Sequence, residues 1–279
     1  MTELRDIELA ALDLDDTTLL SDSSLAEETE SAIRAAIDAG IEIVIASGRA
    51  FKALPERVCA IPGIRYAITS NGAAVVKNPG GERIMSLTLR ADEVMRVLEI
   101  FEGELMEVFV GGQAYCDAKY MAQPLKYGCS PRYVSYVQTT RLPQEDMAEF
   151  MRRNADRLDS IDVLCRTAEH MDELWEKTRL LQNAYVTSSS PRLIEISDKN
   201  AGKGAALGRL CERLGILPER TAAFGNGDND ADMLAFAGLG VAVENASARC
   251  RAAADIVCPK NDEHGVAKIL YEMIGAKKA

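Results

Sequence analysis

Hydrophobic positions along the chain fall into alternating strand and helix rhythms. Near the N-terminus IELAALDLD is an almost unbroken apolar run ending in carboxylates, the pattern of a strand buried on both faces. SSLAEETESAIRAAIDAG places Ile33, Ala36 and Ile37 on one stripe. That predicts a helix, with Ser24 and Glu27 as a capping box and Gly40 as its stop. IEIVIASGR repeats the buried strand; a helix through Val58, the segment YAITSNGAAVV and the turn KNPGG follow. The last third repeats the rhythm. RLIEISD reads as a strand, GKGAALGRLCERLG as a helix closed by Gly215, and TAAFGNGDND as a short strand with a glycine-rich end. Helix ADMLAFAG, strand VAV, a helix from Ser247, strand DIVC and a helix from Gly265 complete it. Repeated β–α units with short links predict an α/β fold, a mostly parallel sheet with helices on both faces.

The middle of the chain differs. ADEVMRVLEIF reads as an amphipathic helix, LMEVFVGGQAYCD as a hairpin, PQEDMAEFMRRNADRL as a helix begun by Pro143, and AEHMDELWEKTRLLQN as another helix. Between them KYMAQPLKYGCSPRYVSYVQTTR is rich in Tyr, Lys and Arg. This pattern predicts an α+β domain over 84–188, inserted between two halves of one core, 1–83 and 189–279.

Composition narrows the function classes. The 279 residues are 47% hydrophobic and 27% charged, as in soluble globular proteins. No apolar run reaches the length of a membrane span, and MTELRDIELA lacks the features of a signal peptide. Seven scattered cysteines without a CxxC pair, and only two histidines, argue against a disulfide framework or zinc site. A cytoplasmic location is the expectation. A net charge of -11 argues against nucleic acid or anionic membrane as partners. An anionic substrate would need placed cations.

Three strand ends carry polar clusters: DLDDTT, the SGR of Ser47, Gly48 and Arg49, and GNGDND from Gly225 to Asp230. Lys203 opens a helix. Open α/β sheets bind ligands beyond the carboxyl ends of their strands. Carboxylates, a hydroxyl, a lysine and glycine-rich turns suit Mg²⁺ and a phosphate. Three commoner motifs fail. The Asp228, Asp230, Asp232 spacing of a calcium loop has Met233 in place of the required Gly and Leu239 in place of the closing Glu. GNGDND has Asp230 where a dinucleotide fingerprint needs its third Gly. AGKG has Ser197 where a P-loop needs its first Gly, and Gly204 where it needs Ser or Thr.

DLDDT, ASGR, GKG and GNGDNDADML resemble the four ordered motifs of the haloacid dehalogenase superfamily of phosphatases. TSNGA, VENA and NDEHGVA resemble its Cof-like branch, whose members carry a large α/β cap. The resemblance implies a Rossmann-like core and a Mg²⁺-dependent phosphatase acting on small phosphorylated metabolites, with sugar phosphates the leading class. It implies Asp13 as nucleophile forming an aspartyl-phosphate and Asp15 as acid and base, facing the same side at i and i+2. Thr17, Ser47, Gly48, Arg49, Asn71, Gly72, Lys203 and Asn229 would hold substrate or its phosphate. Asp13, the Asp15 carbonyl, Asn226 and Asp230 would hold the metal. The family usually has Asp where this chain has Asn226, which removes a negative charge from that shell. Tyr120, Lys126, Tyr127 and Arg132 are candidate cap contacts by composition. Two other functions fit the same motifs: a phosphomutase-type phosphotransferase, and a weakly catalytic binder of a phosphorylated ligand.

Overall fold

The computed structural model describes residues 4–278. In chain order the strands are β1 (Leu9–Leu12), β2 (Glu42–Ala46), β3 (Tyr66–Thr69), β4 (Ala74–Lys77), β5 (Arg83–Ser86), β6 (Met106–Val110) and β7 (Gln113–Asp117). They continue as β8 (Arg141–Gln144), β9 (Leu158–Leu164), β10 (Ala184–Thr187), β11 (Leu193–Asp198), β12 (Thr221–Gly225), β13 (Leu239–Val243) and β14 (Ile256–Cys258). The helices are α1 (Glu27–Asp38), α2 (Glu56–Cys59), α3 (Ala91–Ile100), α4 (Ala118–Ala122), α5 (Val134–Thr140) and α6 (Met147–Arg153). They end with α7 (Ala168–Lys177), α8 (Lys203–Leu214), α9 (Ala231–Phe236), α10 (Ala248–Ala253) and α11 (Gly265–Lys278).

Two sheets result. The first has eight strands in the order β14-β13-β12-β1-β2-β3-β4-β5. It is parallel from β14 to β3 and antiparallel through β4 and β5. Every residue of β1, β12 and β13 is buried, which explains their continuous apolar runs. Helix α1 packs with α11, and α8 with α9. The order reverses beside β1: the chain moves outward through β2 and β3, then returns on the other side with β12. Polar strand ends therefore converge at a topological switch point.

The second sheet has six strands, β10-β11-β9-β6-β7-β8, antiparallel except for β7 beside β8. It has its own core, built around Val94, Phe101, Val108, Ile161, Ile194 and Ile196. The hairpin expected in LMEVFVGGQAYCD is β6–β7, turned by Gly111 and Gly112 at φ +60° and +80°.

Three expectations are corrected. Strand β11, RLIEISD, pairs with β9 and β10 in the second sheet, while β5 pairs in the first, so the sheets do not divide at 84 and 188. Helix α1 starts after Ala26 without a side-chain cap, because Ser24 Oγ donates to Asp22 in a local turn. Pro143 sits in β8 rather than opening a helix; β8 is an edge strand, where a missing N–H is tolerated, and Asp146 caps α6. No helix among the described residues is long and apolar enough to cross a membrane.

Candidate active site

Strand β1 delivers Asp13 to the switch point. Its N–H continues the ladder to the Phe224 carbonyl at 3.1 Å, so the backbone is fixed before the side chain begins. The carboxylate is 5% exposed. Its Oδ1 accepts from Lys203 Nζ at 2.7 Å, whereas Oδ2 is buried with no hydrogen-bond partner among the described residues. Lys203, wholly buried at the start of α8, also donates to Asp230 Oδ1 at 2.6 Å. Burial opposes the lysine's charge, but Asp13 and Asp230 outweigh it and hold its pKa above the ordinary range. Burial, then the charge of Asp230, pushes Asp13 up to about 7 although Lys203 pulls it down.

The chain then turns sharply through Leu14–Thr18, with Asp16 in the left-handed region at φ +57°. This throws successive carboxylates in different directions. Asp15 is held by Arg49 through Nη2 at 2.6 Å and Nε at 2.8 Å. Asp16 is held by Arg132 at 2.6 and 2.9 Å. Thr17 Oγ1 donates to Asn226 Oδ1 at 3.0 Å, tying β1's end to β12's.

After β2, Ser47 Oγ accepts from the Arg49 N–H at 3.1 Å, and the loop passes close to Asn71. A Cβ on Gly48 would lie 3.1 Å from both Asn71 Oδ1 and Glu195 Oε1, which leaves little room for any side chain there. Asn71 accepts from Asn229 Nδ2 and donates to Glu195 Oε1, both at 2.9 Å.

A cavity of about 1180 Å³ opens between this cluster and the second sheet. Of the expected residues, Asp13, Asp15, Gly48, Arg49, Asn226 and Asn229 line it. Thr17, Ser47, Asn71 and Lys203 stand behind that wall and hold it through the bonds above. Two further expected residues do not line it. Asp230 is wholly buried, with Oδ1 accepting from Lys203 and Oδ2 from the N–H groups of Asn226 and Gly227 at 2.9 Å each. It positions the lysine and the turn. Gly72 lies off the cavity, and its missing Cβ would fall 2.1 Å from the Gly202 carbonyl. It therefore permits close packing of the chain just ahead of Lys203. Of the residues chosen by composition, Tyr120, Tyr127 and Arg132 line the cavity and Lys126 does not.

A haloacid dehalogenase-like hydrolase family model matches residues 10–270. The chain belongs to the haloacid dehalogenase-like hydrolases. Phosphatase YwpJ of Bacillus subtilis is 30% identical over 287 residues, covering 96% of this chain and 100% of that protein. The 5-amino-6-(5-phospho-D-ribitylamino)uracil phosphatase YcsE of the same organism is 26% identical, covering 96% of both. The solved structure of a haloacid dehalogenase-like hydrolase from B. subtilis superposes with a TM-score of 0.80 at 30% identity, covering 95% of this chain and 99% of that one.

For a haloacid dehalogenase-like hydrolase, the wall of the cavity built by the second sheet is the less expected part. Glu107, Asp162, Glu195 and Arg141 from the second sheet line it, as do Tyr136 and Trp175. Arg141 bonds Glu107 at 2.7 and 3.1 Å, and Tyr136 lies between the guanidinium groups of Arg49 and Arg141, 4.2 and 4.1 Å from its ring centre. None of these was singled out from sequence. The available signal was a charged residue inside each apolar run, as in LMEVFV and RLIEISD.

Proposed function

We propose that this enzyme is a Mg²⁺-dependent phosphatase hydrolysing small phosphorylated metabolites, sugar phosphates among them, through an aspartyl-phosphate on Asp13. The observation that carries the reading is the Asp13 carboxylate: one oxygen fixed by a buried lysine, the other unpartnered beside a cavity of metabolite size. Curated relatives named as phosphatases over their whole length support it.

The donor set fits a hard cation. Asp13 Oδ2 lacks a partner, and Asn226 and Asp228 share its cavity wall. Among the described residues no three His, Cys, Asp or Glu are grouped to hold an ion. The shell would therefore combine Asp13 with amide and backbone oxygens and water, as Mg²⁺ allows. Bound there, Mg²⁺ would neutralise charge between the phosphate dianion and the attacking carboxylate.

The chain's own groups divide the remaining work. Lys203 favours the ionised form of Asp13 and aims it. Asp13 attacks phosphorus as the ester oxygen leaves and takes a proton from Asp15. Asp15 then accepts a proton from the water that hydrolyses the acyl phosphate. Arg49 orients Asp15 through two bonds, and its own position depends on Tyr136. We read the second-sheet unit as a cap that closes this chemistry from solvent.

The test is phosphate release from a panel of sugar and nucleoside monophosphates, with Mg²⁺ and with excess chelator. Metal-dependent release from at least one member is expected. No release from any member, or release indifferent to chelator, would overturn the reading.

A further inference from the structure

Glu107, Asp162 and Glu195 form one row across three adjacent strands. The β6–β9 register places Glu107 opposite Asp162, and the β9–β11 register places Glu195 opposite Asp162. Directly opposed residues share a face, so three carboxylates stand side by side over about 10 Å of sheet. Like charges so placed destabilise a sheet, and each is about 3% exposed.

The chain neutralises one end of the row. Arg141 pairs with Glu107. Asp162 accepts from Ser160 Oγ at 3.2 Å, and Glu195 Oε1 accepts from Asn71. Among the described residues Glu195 Oε2 is buried without a partner in good hydrogen-bond geometry, although the hydroxyl and N–H of Ser189 lie close enough to favour its ionised form. The other cations on the cavity wall are committed elsewhere: Arg49 to Asp15, Arg132 to Asp16, and Arg192 to the Gly128 carbonyl. Among the described residues neither Asp162 nor Glu195 thus forms an ion pair of its own, and Arg141 and Lys203 attract them only from a distance. Burial and mutual repulsion hold the carboxyl of Asp162 well above its ordinary range, and burial raises Glu195.

The row is also placed for a substrate. Glu195 Oε1 lies close to Gly48, at the edge of the Asp13 cluster, and all three carboxylates line the same cavity as Asp13. A ligand held at Asp13 by its phosphate would lay its alcohol portion along them. We propose that the alcohol portion of the substrate carries a primary ammonium group, received between Asp162 and Glu195. An amino-sugar phosphate has this chemistry. An ammonium group offers three donors and one positive charge, which completes Glu195 Oε2 and relieves the carboxylate pair. A neutral polyol offers donors without the charge. The inference rests on the phosphatase reading above.

The test compares kcat/KM for glucosamine 6-phosphate, glucose 6-phosphate and N-acetylglucosamine 6-phosphate, with p-nitrophenyl phosphate alongside. These sugars differ at one position. The amine should be preferred to the hydroxyl by about tenfold or more, as for a charged hydrogen bond, and acetylation should remove the preference. Asp162→Asn with Glu195→Gln should bring the amine-to-hydroxyl ratio close to one. That ratio is insensitive to a general loss of active protein, and the native comparison needs no variant. A native ratio near or below one, or a ratio unchanged in the double variant, overturns the ammonium site while hydrolysis of p-nitrophenyl phosphate leaves the phosphatase reading standing. No hydrolysis of any ester removes both.

Discussion

At the scale of single residues, the site is built on charges that cannot be removed one at a time. Lys203 sits, wholly buried, between Asp13 and Asp230. Deleting the cation strands two carboxylates, and breaking a buried ion pair in this way costs about 3–5 kcal/mol. Lys203→Met should therefore lower the unfolding free energy by that order in a denaturant titration as well as abolish turnover. A variant as stable as the parent would mean that the three groups are not charged together. Asp15 makes a different prediction. In its proposed role of proton donor it matters in proportion to the basicity of the leaving group. Asp15→Asn should slow a sugar phosphate far more than p-nitrophenyl phosphate, and equal losses in the two assays would remove the acid role. These residues were legible before the fold was known, because each carboxylate or glycine cluster follows an apolar run that must stop at a sheet edge. The bonds of Asp230 to Lys203 and to the turn were not legible, because sequence shows that a carboxylate is present and not what its oxygens accept from.

At the scale of elements, what sequence concealed was pairing. RLIEISD is plainly a strand, but a single strand does not declare its sheet, and β11 joins the second one. The row of Glu107, Asp162 and Glu195 depends on register between segments far apart in sequence, which no local spacing records. The capping box at Ser24 failed because Asp22 offered that hydroxyl a nearer partner. The row has a consequence for stability. Burial first, then Glu195 and Glu107, raise Asp162 above its unfolded range, so the folded protein binds more protons than the unfolded chain. Its contribution is fully present below the ordinary carboxylate range and is lost as pH rises through the raised value. Urea unfolding of the substrate-free protein from about pH 5 to about pH 8 should show this loss, and Asp162→Asn should make the slope shallower. An identical slope in the variant would mean that Asp162 titrates normally.

At the scale of the whole molecule, two sheets with separate cores meet across one cavity. Three links cross it beside the catalytic cluster: Arg132 to Asp16, Tyr136 to Arg49, and Glu195 to Asn71. The alternation of β–α units made the first sheet readable from sequence. The closure of the second over it was not, because the links are single side chains in the Tyr- and Arg-rich stretch and one charge in β11. Arg132 and Asp16 are partly exposed, so the pair should contribute no more than about 1 kcal/mol to folding. Arg132→Ala should leave the unfolding free energy nearly unchanged yet raise KM several-fold, by loosening closure over bound substrate. A normal KM would place the pair outside the closing contact.

The proposed mechanism requires Asp13 to carry the phosphoryl group between substrate and water. It is tested most directly by mixing enzyme, Mg²⁺ and a good substrate, quenching in acid within the first turnover, and mapping modified peptides by mass spectrometry. One phosphoryl group is expected on the peptide containing Asp13, formed and lost at rates compatible with turnover, and none in Asp13→Asn, which should also release no phosphate. Phosphate release by Asp13→Asn at a rate close to the parent's, or rapid turnover in the parent with the phosphoryl group on another residue, would contradict it.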